Sequence, residues 1–285
     1  PLHLLAGALR WDAIDWRDRL ALVRLRHGGR RGGNPRATVR EWLESHGQTT
    51  RLVELLWEPL AVAALNQSID EAAGEMFGEV LRRTFTAERK DSSLGLVRCA
   101  LDELYVNPSR VYIERSGGEV RANAVARVRA DYAAASVRVK GELLRPRAVI
   151  CATAWYSLPT LFENNPPAVA SVVRAAGATD ASPIVTVNLW FDRPVTASTF
   201  VGLPGRAMQW VFDKRELFGE STSHLSLVSS GATALVGLSN QDLVDRALDE
   251  LKTAMPPVRS ATLRRAVVVR EKRATFSVAP GQPAR

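Results

Sequence analysis

The sequence predicts an α/β chain in three stretches: a helical beginning, a mixed middle and a strand-rich end that carries one clear helix. Three observations predict it. Apolar residues recur at helical spacing through about the first hundred positions. A compact apolar run, Arg147-Ala-Val-Ile-Cys-Ala-Thr153, has the character of a strand buried on both faces of a sheet. From Ile184 onward, runs with partial alternation dominate.

Taken in order, 11–25 forms a loose stripe through Trp11, Ile14, Leu20, Leu22, Val23 and Leu25, with Arg and Asp opposite. The glycine- and arginine-rich stretch 27–35 is a loop by composition. Thr38 with Glu41 has capping-box spacing and starts a short helix closed by Gly47. A longer helix runs through Leu52, Val53, Leu55, Leu56 and Leu60 to Leu65, and Pro59 inside it is expected to kink it. Ser68 with Glu71 reads as a second capping box, opening a helix through Met76, Phe77, Val80 and Leu81.

A short helix is expected after Asn107-Pro108 up to Gly117-Gly118, then strands at 119–121, 125–129 and 137–140. The 147–153 strand leads into a helix over 155–162, and Pro166-Pro167 marks a break. Strands follow at 184–191, 208–212, 225–228 and 263–269. Between the last two, Leu243, Val244, Ala247, Leu248 and Leu251 share one face of a helix that ends at Pro256-Pro257.

The 285 residues, 46% hydrophobic and 24% charged, exclude intrinsic disorder and suit a large soluble core. Cys99 and Cys151 form no pair motif, so a reducing compartment and buried thiols are expected. The net charge is +8, and only five of the 38 basic residues are lysine. Arginine suits phosphate and anionic surfaces, yet these arginines are interspersed with acids, as on an ordinary mixed surface. The most apolar stretch, 52–65, is too short to span a bilayer and carries Glu54 and Glu58.

Most catalytic signatures are missing. The histidines at 3, 27, 46 and 224 have no metal-binding spacing, so no metal site is expected. There is no nucleophile elbow, and the Gly28–Gly33 loop lacks the lysine of a phosphate-cradling loop. Nor is there a strand, Gly-x-Gly-x-x-Gly turn and helix for a dinucleotide.

Against that background, Thr38-Val-Arg-Glu-Trp-Leu-Glu-Ser-His-Gly-Gln48 followed by Leu55-Leu-Trp-Glu-Pro-Leu-Ala-Val-Ala-Ala-Leu-Asn66 resembles a helical substrate-domain segment of one enzyme family. That family is the squalene-associated flavin-dependent desaturases, or hydroxysqualene dehydroxylases, within the flavin amine oxidase and phytoene desaturase superfamily. Other segments match in the same order. These are Gly117-Gly-Glu-Val-Arg with Ala124-Val-Ala-Arg-Val128, Ala148-Val-Ile-Cys-Ala-Thr153, Pro183 to Asp192, Met208-Gln-Trp-Val-Phe-Asp213 and Arg270 to Phe276. The family's Ala-x-Pro-Pro turn is replaced by Ala154-Trp155-Tyr156, and its terminal glycine-rich and Gly-Asp segments have no counterpart here.

The resemblance implies an incomplete FAD/NAD(P)-binding, amine-oxidase-like flavoprotein fold. Its expected parts are helical substrate domain (1–105), partial FAD-binding domain (106–165), mixed-sheet substrate domain (166–275) and a return toward the FAD domain (276–285). FAD is the implied cofactor, with weak binding to this chain alone. Val125 would lie by its adenine end, and Ala152 and Thr153 at a strand end facing it; plain strand packing is the alternative for all three. Glu58, beside Trp57 at the proline, could be a desolvated general acid or a solvated helix glutamate. Trp57, Trp190 and Trp210 are candidate substrate-wall residues, core packing being the alternative. Alternation is expected to split Trp190 from Phe191, and Trp210 from Phe212, so that Trp190 and Trp210 share a side.

The implied activity is reductive dehydroxylation of hydroxysqualene to squalene in hopanoid biosynthesis. Its partners would be a polyprenyl lipid and an anionic membrane surface, with no nucleic acid, in the cytoplasm or on the inner membrane face. No lysine occupies 184–191, where some amine oxidases of the superfamily carry one, and Thr186 is nearest. Amine oxidation, carotenoid or phytoene desaturation, and a non-enzymatic basic membrane- or nucleic-acid-binding protein are the rival readings.

Overall fold

The computed structural model describes residues 7, 10–28, 34–86, 93, 95–131, 135–164 and 166–283. The chain forms two compact units, 1–99 with 181–281, and 100–180 with 282–285. The helical beginning and the strand-rich end thus fall in one unit, with boundaries at 99/100 and 180/181.

In the first unit, helix α1 (Trp16–Gly28) and helix α2 (Val39–Ser45) lead to a long helix, α3, made of Thr50–Leu52, a π-helical Val53–Trp57 and Glu58–Leu65. Helix α4 spans Gly74–Thr86. The expected Thr38–Glu41 capping box is present: Glu41 N–H donates to Thr38 Oγ1 at 3.3 Å and Thr38 N–H to Glu41 Oε2 at 2.9 Å. Gly47, at φ +66°, supplies the left-handed residue that ends α2.

One expectation changes here. Ser68 does not open a helix; α4 begins six residues later, at Gly74. The intervening backbone is used elsewhere, since Ile69 and Ala72 carbonyls accept the N–H groups of Arg40 and Val39, which the first turn of α2 leaves unpaired. Gly74 is required because a Cβ there would sit 2.5 Å from Trp42 Cβ. Pro59, for its part, does not end α3. Its ring would strike the carbonyl of Leu55, and the π turn just before it, closed by Glu58 N–H to Val53 O, widens the helix at that place.

Leu43, Leu52, Trp57, Ile69 and Phe77 form the centre of the helical core. This core is joined to the sheet by a buried polar network at the left-handed C-cap of α3. Asn66 (φ +50°) donates to Ser182 O at 3.2 Å and Thr275 Oγ1 at 2.9 Å, and accepts Gly231 N–H at 2.8 Å. Gln67 Oε1 accepts Val278 N–H at 2.8 Å.

The sheet is antiparallel and five-stranded. Its strands are β4 (Ala181–Phe191), β5 (Phe200–Gly202), β6 (Trp210–Asp213), β7 (Ser223–Ser230) and β8 (Leu263–Phe276), in the order β5-β6-β7-β4-β8. Helix α9 (Asn240–Ala254) carries the expected stripe, and Leu243, Ala247 and Leu251 pack with Val185, Val187, Leu189, Phe191, Leu225 and Leu227. β8 forms one margin of the sheet.

The second unit holds a helix of two segments, Asp102–Val106 and Asn107–Arg115 (α5), and an antiparallel meander of β1 (Ala126–Ala130), β2 (Ala135–Val139) and β3 (Glu142–Leu144). Helices α6 (Leu158–Leu161) and α7 (Ala170–Ala178) follow, and a four-residue helix, α8 (Arg215–Phe218), belongs to the first unit. Pro108 repeats the device seen at Pro59, with a π turn directly before it.

The 147–153 run is not a strand. Ile150 is 92% exposed and Cys151 is exposed, because a strand buried on both faces needs neighbours on either side and no described strand supplies them. The thiols are correspondingly not buried; Cys99 is half-buried. Residues 119–121 also form no strand, and Arg121 is instead held by Glu119 at 2.9 Å and Glu142 at 2.6 Å. Of the predicted loop at 27–35, residues 27 and 28 still belong to α1 and 29–33 lie outside the described residues.

Candidate functional site

Pairing register decides which side chains share a face. Trp210 lies opposite Val228, which lies opposite Thr186; Phe212 opposes Ser226, which opposes Asn188; and His224 opposes Trp190. Trp190 and Trp210 therefore do share a side, with Thr186, Asn188, His224 and, across β5, Phe200. Phe212 joins them, contrary to the expected split, because two residues along a strand return to the same face. Phe191 points the other way, into the core under α9.

This face is aromatic with a small polar centre. Phe200 lies 6.1 Å from Trp210 and 6.2 Å from Phe212, centroid to centroid. The Trp210 ring covers Gly202, whose Cβ, if present, would sit 3.3 Å from Cζ3. Trp190 stacks on His224 at 4.0 Å, and the Arg265 guanidinium lies 4.8 Å from its centroid. Trp190 thus already has a cation and an imidazole against its ring.

His224 is buried, with Nε2 3.3 Å from Asn188 Oδ1 and Nδ1 3.3 Å from Glu220 Oε1, and Phe218 stacked at 5.9 Å. Burial, the largest influence, pushes the imidazole below its ordinary 6.5; Glu220 opposes this, Lys214 adds to it and Asp213 opposes it. Lys214 follows β6 directly, its N–H on His224 O at 2.8 Å and its ammonium 5.7 Å from the Phe212 centroid. Sequence reasoning missed His224 and Lys214. The histidines were weighed only for metal spacing, and the period-2 pattern His224, Ser226, Val228 was the available signal.

Glu58 lies on α3, half-buried, where Arg40, Asp70 and Glu54 act on it. Burial pushes its carboxyl above the usual 4.5; Arg40 pulls it down, and Asp70 and Glu54 push it up. Arg40 is itself committed to Asp70, with Nη2 3.0 Å from Oδ2. Trp57 is 2% exposed, and its indole N–H donates to Gln48 Oε1 at 2.9 Å, so it belongs to the helical core and presents no wall.

In the second unit Val125 is 70% exposed just before β1, and Ala152 and Thr153 are exposed in the irregular stretch where a strand end was expected. The main chain at 147–153 is not fixed by a ladder, and a cavity of about 340 Å³ in the same unit is lined by Glu119, Glu142, Arg121 and Lys140. Among the described residues no cluster of three or more His, Cys, Asp or Glu could hold a metal ion. No described helix is long and apolar enough to cross a membrane.

The helical cluster and the helix-backed antiparallel sheet have the fold of an amine-oxidase-like flavoprotein. The chain belongs to the flavin containing amine oxidoreductase family, whose model matches residues 3–283. Its cofactor class is therefore flavin, with FAD typical. An oxidoreductase from Methanosarcina mazei is similar in structure at a TM-score of 0.67 and 14% identity, over 94% of this chain and 63% of that one. Cyclohexylamine oxidase from Brevibacterium oxydans IH-35A gives 0.66 and 13%, over 99% and 65%. A reduced UDP-galactopyranose mutase gives 0.64 and 10%, over 94% and 62%. The chain thus spans somewhat under two thirds of the length of each. Among curated proteins, none matches the chain in sequence.

Proposed function

We propose that the chain forms the substrate-side part of an FAD-dependent oxidoreductase that reductively dehydroxylates hydroxysqualene to squalene. The observation that carries this reading is the aromatic sheet face built by Phe200, Trp210 and Phe212, with no lysine on β4. Such a face suits a long neutral hydrocarbon, whose burial is driven by area. Reduced flavin, when bound, would supply the hydride that takes the place of the hydroxyl. The share of this chain's residues is orientation, exclusion of water and one proton: Glu58 protonates the departing hydroxyl so that it leaves as water.

In the complete enzyme, hydroxysqualene is expected to yield squalene, and Glu58→Gln to lower turnover by about 10²-fold or more, as loss of a general acid does. A raised carboxyl pKa gives stability that is complete below 4.5 and lost as pH rises through the folded value. Glu58→Gln is therefore also expected to raise the urea midpoint at pH 7 and leave it little changed at pH 4. Full turnover in the variant removes Glu58 from the scheme, and an aldehyde or a polyene as sole product replaces dehydroxylation with amine oxidation or desaturation.

An insoluble substrate also argues for a bilayer contact, to which α1 contributes exposed Trp16 and Leu20, with Arg17 5.4 Å from the Trp16 ring. Flotation with anionic liposomes is expected to recover the protein at low salt and release it at high salt. Recovery that salt does not alter would count against an electrostatic membrane contact.

A further inference from the structure

Beside the aromatic face lies a cavity of about 420 Å³, bounded by Leu96, Val97, Phe212 and Leu217 on its apolar sides and by Lys214 and Thr199 among its polar groups. We propose that this cavity binds an amphipathic carboxylate, its acid group on the Lys214 ammonium and its hydrocarbon body against Phe212 and the aliphatic wall. This goes beyond the hydroxysqualene reading and stands independently of it, since that substrate is neutral.

Two observations carry the assignment. Lys214 has no side-chain hydrogen bond or ion pair among the described residues, and its contact is the Phe212 ring at 5.7 Å. A half-buried ammonium without a counter-ion is costly, and an incoming anion would relieve that cost. The carboxylate that lines the cavity, Asp213, is already engaged, since Arg215 holds it through Nη2 at 2.6 Å and Nε at 2.9 Å. A second cation, Arg98, also lines the cavity and is engaged in an interaction of its own. In keeping with this, burial lowers the Lys214 amine from its ordinary 10.5.

The ligand's shape follows from the walls. One ammonium with one hydroxyl matches a singly charged head, whereas phosphate sites usually gather several donors or a helix N-terminus. The four apolar side chains call for a body of several carbons, which acetate lacks.

Isothermal titration of the chain with octanoate, octan-1-ol and octyl phosphate tests the proposal. Octanoate is expected to bind about tenfold to hundredfold more tightly than octanol, the range for one charge-assisted hydrogen bond in a partly buried site. Lys214→Met should bring octanoate down to the octanol value, and Lys214→Arg should retain most of the difference. Raising salt on the unaltered chain, a control that needs no variant, should weaken octanoate binding and leave octanol unchanged. Equal affinity for octanoate and octanol, or octanoate binding kept in a folded Lys214→Met chain, overturns the site. Octyl phosphate binding tenfold tighter than octanoate overturns the carboxylate assignment.

Discussion

Replacing Trp57 by alanine is expected to cost about 3–5 kcal/mol, the range for removing a large aromatic side chain from a packed core. Trp57 is 2% exposed, its ring lies edge-on to Phe77 at 6.4 Å, and its indole N–H reaches Gln48 Oε1. Truncation would open a cavity and also leave the Gln48 oxygen without its donor. Gln48 is itself placed by its amide, which donates to Ala21 O at 2.9 Å, so the loss should propagate to α1. Domains of ordinary stability have about 5–15 kcal/mol in all, so the helical cluster would lose a large share of it. Trp57→Phe keeps most of the volume and should cost about 1–2 kcal/mol, chiefly the orphaned acceptor. Urea denaturation separates the two variants. An alanine variant with an unchanged midpoint but weakened substrate binding would return Trp57 to the substrate wall.

Asn66→Ala is expected to cost about 3 kcal/mol, for two separable reasons. The side chain supplies three hydrogen bonds to β4, β8 and the turn after β7, none of which water can easily replace because Asn66 is 6% exposed. The backbone is left-handed at φ +50°, which asparagine tolerates better than alanine. Asn66→Gly keeps the conformation and loses only the bonds, so it should be about 1 kcal/mol less damaging than alanine. At about 2–4 °C per kcal/mol for a unit of this size, calorimetry should resolve all three proteins. Unfolding midpoints within 1 °C of each other would show that the network does not join the helices to the sheet.

These two residues mark what was legible. Local signals are legible where the partner lies within a few positions: the Thr38–Glu41 box and the Leu243–Leu251 stripe. Asn66 could not be read, since its partners lie 116, 165 and 209 positions away and asparagine after a helix has many uses. The Ser68–Glu71 box failed for the same reason, because the carbonyls of Ile69 and Ala72 serve α2. The 147–153 run was read from its apolar content, which states what a strand would bury but not that neighbours exist to bury it. Pro59 was recognised as a disturbance, while the form it takes, a π turn, depends on the backbone upstream. At the site, aromatic residues were found because size and period are visible in sequence. His224 and Lys214 were not, since their importance comes from burial and from each other.

The long margin of the sheet, β8, exposes backbone donors and acceptors along much of its fourteen residues, yet Arg264, Arg265, Arg270, Lys272 and Arg273 punctuate it. A second molecule trying to zip onto that border in antiparallel fashion would bring guanidinium against guanidinium. Part of the arginine surplus therefore acts as a guard against fibrous self-assembly, and polyanions that mask it would be the agents to disarm it.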